Sequence, residues 1–428
     1  MTARELAFEL LFKAEASKQY SNIALDNALQ KSDLSTADKN LTSALFYGVT
    51  ERRLTLDYQI NSLSSRPLKD IDTKALIAIR IGLYQLIYLT RIPHHAAINE
   101  SVDLVPRKSS GFVNALLRSF LRRGELALPE KENTVEYLSV KYSVGVSLVK
   151  KFISIYGIEE TENLLSAIND TPDTTIRVNT LITDRKTMLE KIPDAIPTSN
   201  APNGILTRGS VRELYGFEDG LFFVQDEASQ ICIEALSAQE NELIMDICAC
   251  PGSKSFGAAI DMQNRGQILA FDLHENKLSL IKKSAERLKI SIISTSAQDG
   301  RKPLPELFSK ADRIICDVPC SGFGVLAKKP ELRYKSPEES ASLPKIQSDI
   351  LENACKYLKV GGTLIYSTCT ILPEENEDNV LSFLAKHKEF SLEPWRVGNI
   401  SADSGMITLL PHVHKTDGFF IAKLKRNF

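Results

Sequence analysis

The chain reads as a multidomain protein with an all-α N-terminal module, a small α/β module, and a C-terminal domain on a doubly wound, mostly parallel sheet. Three observations carry that reading. A length of 428 residues exceeds what one hydrophobic core usually organises. Residues 1 to about 125 place their apolar side chains at a 3.6-residue period throughout. From about residue 224 short apolar runs alternate with amphipathic segments, as strands do when crossover helices join them.

In the first module, expected over residues 1–127, Leu6, Leu10 and Leu11 share one face. Ile23, Leu25 and Leu29 form a second stripe, which Leu41, Leu45, Val49 and Leu54 continue. Asp72 is placed to cap a long helix through Ala75, Leu76, Ile79, Leu83, Leu86 and Ile87 that stops before Pro93. Another helix opens at Pro93. A last one begins at Gly111 and closes in Arg122-Arg123-Gly124, where basic residues complement the helix dipole. The polar stretch Glu125 to Asn133, containing Pro129, marks a boundary. The second module, residues 134–223, combines short helices between Thr134 and Ser166, including Val144 to Tyr156, with an alternating strand from Thr174 to Thr180. A helix from Asp184 to Lys191 and a loop and strand from Gly216 to Val224 complete it. The third, residues 224–428, opens with a helix capped near Asp226. Strands are expected at 243–247, 268–272, 292–295, 313–317 and 362–367, with 419–424 as a late edge strand.

Composition narrows the class. Hydrophobic residues make up 43% and charged residues 25%, the proportions of an ordinary soluble protein. No apolar run reaches bilayer length, and the opening residues are amphipathic without a signal-peptide core, so a cytoplasmic protein is expected. All seven cysteines fall at or after Cys232, without paired metal-hook spacing, so neither a disulfide framework nor a metal site is expected. Net charge is −2, divided as +4 over residues 1–125 and −6 over the rest. That mild asymmetry suits either phosphate contact or a solvated helical surface.

Two cysteines stand in settings that packing alone does not explain. Cys320 follows the apolar run Arg313 to Cys316 within Asp317-Val318-Pro319-Cys320-Ser321-Gly322. Cys369 follows Thr363 to Tyr366 and precedes Pro373-Glu374-Glu375-Asn376-Glu377. Ligands of open α/β sheets gather at the carboxyl ends of the strands, so both thiols should face one crevice, where a thiol can serve as nucleophile. After the first strand comes Cys248-Ala249-Cys250-Pro251-Gly252-Ser253-Lys254-Ser255, a strand–helix turn whose glycine lets backbone approach a ligand. It is neither the G-x-G-x-x-G dinucleotide turn nor a Walker loop. Asp272 and Asp299 follow the second and third strands. Each could be a helix cap, but their recurrence at successive strand ends suits a nucleoside, with Asp272 on ribose hydroxyls and Asp299 on an adenine amino group.

These stretches resemble the signature of the RNA 5-methylcytosine methyltransferases, and the resemblance covers nearly the whole chain. The turn is similar to the family's Cys-Ala-Ala-Pro-Gly-Gly-Lys-Thr, with Cys250 for Ala, Ser253 for Gly and Ser255 for Thr. Serine at 253 is strained if that position needs a positive φ and silent if it does not. Arg52-Arg53 with Asp57, the His94-His95-Ala96-Ala97-Ile98-Asn99-Glu100 start and the Gly111 to Arg118 segment resemble the NusB antitermination domain, an all-helical RNA-binding fold.

The resemblance implies a NusB-like first domain, a linker domain, and a Rossmann-like class I methyltransferase domain. It implies S-adenosylmethionine as cofactor, lined by Ala249, Cys250, Pro251, Gly252, Ser253, Lys254, Ser255, Asp272, Asp299 and Asp317. In the RNA enzymes the Thr-Cys thiol, here Cys369, adds to cytosine C6, and the Pro-Cys thiol, here Cys320, helps resolve the adduct. Asp317 is then placed to bond the cytosine N3/N4 edge, or else caps the following turn. Lys254 orients the pocket or pairs with Asp246 or Asp317. RNA contacts fall to Arg52, Arg53, Arg118, Arg122 and Arg123; Arg177 and Asn179 either touch RNA or satisfy a domain seam. The expected partner is small-subunit (16S) ribosomal RNA, met by a monomer, with no membrane and no metal. A transfer RNA methyltransferase and a non-catalytic RNA-binding assembly factor are the competing readings. The helical N-terminal module weighs against the first, and the intact Cys320, Cys369, Asp272, Asp299 and Asp317 against the second.

Overall fold

The computed structural model describes residues 1–17, 22–170 and 172–428. Contacts group the chain into two compact units, Met1–Asn169 with Lys329–Pro337, and Asp170–Lys328 with Glu338–Phe428.

The first unit is helical: α1 (Ala3–Ser17), α2 (Asn22–Lys31), α3 (Thr36–Glu51), α4 (Arg53–Leu63), α5 (Thr73–Tyr88), α6 (His94–Asp103), α7 (Arg107–Arg123), α8 (Thr134–Tyr142), α9 (Val146–Tyr156) and α10 (Ile158–Ala167). The expected stripes form its core, where Leu6, Leu10, Leu11, Leu25, Leu45 and Val49 are all buried. The side chain of Ile23, expected in the second stripe, lies outside the described residues. Asp72 caps α5 by accepting from the Ala75 amide at 3.2 Å. Helix α7 starts four residues before Gly111, because Pro106 supplies the preset φ of a helix entry. It ends at Gly124, whose φ of 76° is left-handed. Residues Lys329–Pro337 belong to this unit through Arg333 and Tyr334. The buried Arg333 guanidinium donates to Ile168 O at 2.7 Å and Asn169 Oδ1 at 2.6 Å. The Tyr334 hydroxyl donates to Thr50 O at 2.5 Å.

The second unit holds two principal sheets. The small one is antiparallel, in the order β2 (Ile196–Pro197), β3 (Gly204–Thr207), β1 (Thr174–Val178), β4 (Phe222–Val224), with α11 (Arg185–Lys191) between β1 and β2. Helix α12 (Glu227–Leu236) follows, and the Asp226 side chain accepts from the Ala228 amide at 2.9 Å as its cap. The large sheet contains β5 (Leu243–Asp246), β6 (Gln267–Asp272), β7 (Ile293–Ala297), β8 (Ala311–Asp317), β9 (Leu358–Thr368), β10 (Phe390–Leu392), β13 (Met406–Leu409) and β14 (Phe419–Arg426). A separate ribbon joins β11 (Trp395–Val397) to β12 (Ile400–Ala402). Helices α13 (Ser253–Asp261), α14 (Glu275–Arg287), α15 (Leu343–Ala354), α16 (Glu377–Lys386) and α17 (Pro411–His414) complete the unit.

Strand order in the large sheet is β10-β14-β9-β8-β5-β6-β7, parallel from β9 to β7 and antiparallel at β14. The period-two alternation divides the core between its faces. Ile244, Ile315, Ile365 and Ile421 pack with α12, α13 and α14, while Met245, Ile314, Cys316, Leu364, Tyr366 and Phe420 pack with α15 and α16. The expected edge strand 419–424 is not an edge. β14 has β9 on one side and β13 and β10 on the other, so Phe419 through Leu424 are all buried. The one charge within 419–424, Lys423, pairs with Glu393 at 2.8 Å.

Candidate active site

The carboxyl ends of β5, β6, β8 and β9 each deliver a polar side chain to one rim. Register places Asp317 of β8 opposite Ser367 of β9, so the chain leaves both strands at the same level. Three residues past Asp317 comes Cys320, and two past Ser367 comes Cys369. Their sulfurs lie 3.1 Å apart, and the Cys369 amide points at the Cys320 sulfur at 3.3 Å. Both are partly exposed. The loops carrying them are joined by Ser321 Oγ to Thr370 Oγ1 at 2.8 Å and by the Gly324 amide to Cys369 O at 2.9 Å. Gly324 must be glycine for contact reasons: a Cβ there would lie 1.9 Å from Gly418 O.

Thiol chemistry separates this pair from the other cysteines. Cys316 and Cys232 are fully buried, and burial pushes the first thiol well up and the second to about 12. Cys355 rises to about 12 for the same reason. Such thiols are inert packing groups. The Cys320 thiol is also held well above its ordinary range, first by its hydrogen bond with Cys369, then by burial, then by the charges of Cys369, Glu375 and Asp317.

Asp317 is locked by two donors. Lys254 Nζ reaches Oδ2 at 2.7 Å, and Ser367 Oγ reaches Oδ1 at 2.7 Å. The open choice for Lys254 thus resolves to Asp317, while Asp246 Oδ2 instead accepts from Ser255 Oγ at 2.6 Å. The other Asp246 oxygen is buried without a hydrogen-bond partner. Burial raises this carboxyl to about 7.

The turn after β5 shows why its glycine is needed. Gly252 has φ of 109°, and an added Cβ would meet the Phe256 ring at 2.6 Å. Ser253 is the first residue of α13 and is not among the positive-φ residues, so serine in place of the family's glycine brings no backbone strain. Ala249, Cys250, Pro251, Gly252 and Ser253 form the turn, and burial followed by Asp272 pushes the Cys250 thiol up to about 12. Ser255 is fully buried on Asp246, so it supports the pocket through that carboxylate and cannot touch a ligand directly, a correction to its expected role.

Asp272 and Asp299 sit at the rim, and each also serves the local turn expected of a cap. Asp272 accepts from the Cys250 amide at 3.1 Å and the His274 amide at 3.0 Å. Asp299 accepts from the Arg301 amide at 3.1 Å, and the Arg301 guanidinium grips both its oxygens at 2.9 and 2.8 Å. A carboxylate has about four lone-pair sites, so Asp272 retains capacity for two hydroxyls. Asp299 meets a ligand only alongside Arg301. Asp272, Asp299 and Asp317 are partly exposed at the rim, and three carboxylates there fit a ligand that brings positive charge and hydroxyl donors.

The expected RNA contacts divide. Arg177 and Asn179 are fully buried, which overturns an RNA role for both. Arg177 Nη2 bonds Glu234 at 3.0 Å and Asp261 at 2.6 Å, tying β1 to α12 and α13. Asn179 Nδ2 donates to Gly220 O at 3.0 Å and Leu288 O at 2.9 Å. Both satisfy a seam inside the second unit. Arg52 packs over Tyr88 and Arg53 over Tyr334, the latter at 3.9 Å from the ring centroid, so each is half engaged within the first unit. Asp57, grouped with them by resemblance, pairs with Arg80 at 2.7 Å. Arg123 bonds Gln59, Ser62 Oγ and Glu125 O. Arg118 and Arg122 are exposed on α7 and bond only short-range neighbours, Asn114 and Ser119.

Two participants escaped the residue-by-residue reading. Asp246 looked like an ordinary strand end. Glu375 lay inside a quoted motif to which no role was attached. Burial of a carboxylate is a tertiary property, and a sequence motif does not report it.

Comparisons with known proteins follow this geometry. Family models match in chain order: the NusB family over residues 1–122, the ferredoxin-like domain of RsmF/B-like methyltransferases over 147–208, and the 16S rRNA methyltransferase RsmB/F over 233–425. The chain is 35% identical to the probable ribosomal RNA small subunit methyltransferase B of Bacillus subtilis, across 99% of each. It is 36% identical to the corresponding probable enzyme of Synechocystis, across 100% of each. The chain belongs to the RsmB/F family of 16S rRNA methyltransferases. The solved structure of the protein PH0851 superposes with a TM-score of 0.81 at 26% identity, covering 99% of each chain. The segment matched to the methyltransferase model contains Asp246, Asp272, Asp299, Asp317, Cys320 and Cys369. Among the described residues no helix is long and apolar enough to cross a membrane, and no group of three or more His, Cys, Asp or Glu is placed to hold a metal.

Proposed function

We propose that the chain methylates cytosine C5 in 16S ribosomal RNA, using S-adenosylmethionine and a transient bond between Cys369 and cytosine C6. The 3.1 Å approach of two partly exposed thiols beside Asp317 carries this reading. Cytosine C5 is a poor nucleophile until a thiolate adds to C6 and places electron density on C5. Cys369 is assigned that addition, its thiolate forming the S–C6 bond. Asp317, fixed by Lys254 and Ser367, is assigned the N3/N4 edge, where its carboxylate accepts from the cytosine amino group and orients the ring. S-adenosylmethionine, when held by the 249–253 turn, Asp272 and Asp299, supplies an electrophilic methyl group and leaves as the thioether. Cys320 is assigned the C5 proton; its removal reforms the C5–C6 double bond and expels the Cys369 thiolate. The base must be unstacked to enter the rim, so the substrate segment is single-stranded or flipped. Of the arginines expected to meet RNA, Arg118 and Arg122 are exposed and available for phosphate. The reading places the protein in the cytoplasm, with its RNA.

The test is an assay with labelled S-adenosylmethionine and undermodified 16S RNA, followed by bisulfite mapping of the product. Cys369→Ala abolishes turnover, and Cys320→Ala accumulates a protein–RNA adduct that survives a denaturing gel. An adduct that instead requires Cys320 reverses the two roles, and no transfer by the wild type removes the enzyme reading.

A further inference from the structure

The motif Pro373-Glu374-Glu375-Asn376-Glu377 holds a carboxylate that the steps above do not use. Glu375 is 1% exposed. Its Oε2 accepts from the Ser321 amide at 3.0 Å, the residue next to Cys320, and from Gln347 Nε2 at 2.7 Å. Gln347 Nε2 also donates to Pro319 O at 3.0 Å, the residue on the other side of Cys320. The Tyr366 hydroxyl pins the Glu375 carbonyl at 2.7 Å, and Asn379 steadies Gln347 Oε1 at 3.0 Å. The Cys320 turn is therefore gripped on both flanks by one carboxylate–amide pair. The remaining oxygen, Oε1, is buried with no hydrogen-bond partner. A buried acceptor left unsatisfied costs about 1–3 kcal/mol, and a neutral glutamine would serve the Ser321 amide and Gln347 equally well. Shape alone does not call for an acid here.

We propose that Glu375 is a positioning residue that sets the roles of the two thiols, by clamping the Pro319–Ser321 turn against Cys369 and stationing a negative charge behind Cys320. The groups facing Cys320 are the Cys369 thiol, the Glu375 carboxylate, Asp317 with its partner Lys254, and the Tyr366 phenol. The Cys369 thiol, the Glu375 carboxylate and Asp317 disfavour a thiolate at Cys320; Lys254 is occupied by Asp317, and the Cys369 amide, 3.3 Å from the sulfur, is a donor that opposes them. Cys320 thus waits as a thiol while Cys369 adds to the ring; it then releases its proton to solvent through its exposed side and, as a thiolate, takes the C5 proton. The inference deepens the proposed reaction and rests on it for its purpose. Its physical content is the charge state of Cys320, which can be read without turnover.

The experiment uses the full chain with Cys369→Ser, so that Cys320 titrates without a neighbouring thiol. Iodoacetamide labelling of Cys320 is followed against pH by peptide mass spectrometry. Glu375→Gln moves the labelling midpoint down by on the order of one pH unit, the effect of removing one nearby like charge. Glu375→Asp keeps the midpoint at the parent value. Coincident midpoints for the parent and Glu375→Gln overturn the proposal. Should Glu375→Gln fail to fold, Gln347→Met gives the reading, since it loosens the turn and leaves the charge in place. Its midpoint stays or rises, and a fall overturns the proposal. With Cys369 restored, Glu375→Gln lowers kcat about 3- to 10-fold, because a less basic Cys320 thiolate is a weaker acceptor of the C5 proton, without changing KM for RNA. A wild type that labels as expected but transfers no methyl defeats the proposed reaction and spares this inference; an active enzyme with coincident midpoints does the opposite.

Discussion

Replacing Arg177 by methionine separates an RNA contact from a structural one. The Arg177 side chain is fully buried, and its two carboxylate partners are 23% and 21% exposed. Burial raises both acids, Glu234 and Asp261, and the guanidinium opposes that rise. Removing one member of a buried ion pair typically costs about 3–5 kcal/mol, because the charge left behind has lost its solvent and its partner. About a fifth of each carboxylate still meets water, so the lower end applies, about 3 kcal/mol. With a urea slope of about 2 kcal/mol/M, the unfolding midpoint falls by about 1.5 M. Trp395, the single tryptophan, is buried in the core that also holds α12 and α13, so its fluorescence reports this transition. Adding Glu234→Gln and Asp261→Asn to Arg177→Met recovers most of the loss, since a neutral packed triad costs little. RNA affinity of the folded variant stays within about twofold, because no phosphate contact was removed. An unchanged urea midpoint together with a tenfold loss of RNA affinity would refute the assignment.

Three further outcomes follow from the site. Burial lifts Asp246 to about 7, so between about pH 4 and 7 the native state holds a proton that the unfolded chain has released. Stability therefore falls as pH rises through that window, by on the order of 4 kcal/mol, and Asp246→Asn flattens the slope; equal slopes in urea titrations at several pH values would contradict this. Ser253→Gly restores the family residue but leaves S-adenosylmethionine affinity within about twofold by calorimetry, since Ser253 needs no positive φ. A tenfold gain would show that serine had impaired the turn. Gly324→Ala forces a Cβ to within 1.9 Å of Gly418 O and 2.9 Å of Cys369 O, costing about 1–3 kcal/mol in the urea midpoint and displacing the Cys369 loop. Methyl transfer should fall with it, and retained activity would show that the loop yields without moving the thiol.

Much of the architecture was legible because local patterns report local structure. The 3.6-residue stripes of α1 to α7, the Asp72 and Asp226 caps and the Gly124 stop depend on neighbours in sequence. The runs at β5, β6, β8 and β9 were readable because a parallel strand buried on both faces is continuously apolar. The same signal misplaced β14. An apolar run says that a strand is buried but not which neighbours bury it, and here β10 and β13 close its outer side. Arg177 stayed open between RNA and a domain seam, because a lone arginine carries no sign of the carboxylates that will receive it.

By itself the sequence determined the order of helical and α/β segments, the two thiols, and the carboxylates at the strand ends. These follow from periodicity and from motifs contiguous along the chain. Only the tertiary structure decided that Cys320 and Cys369 lie 3.1 Å apart, that Lys254 belongs to Asp317, and that Glu375 grips the Cys320 turn. Each of these joins residues 49 to 63 positions apart in the chain. Their meeting depends on strand register and on what burial leaves without water, and neither is written in any local run of residues.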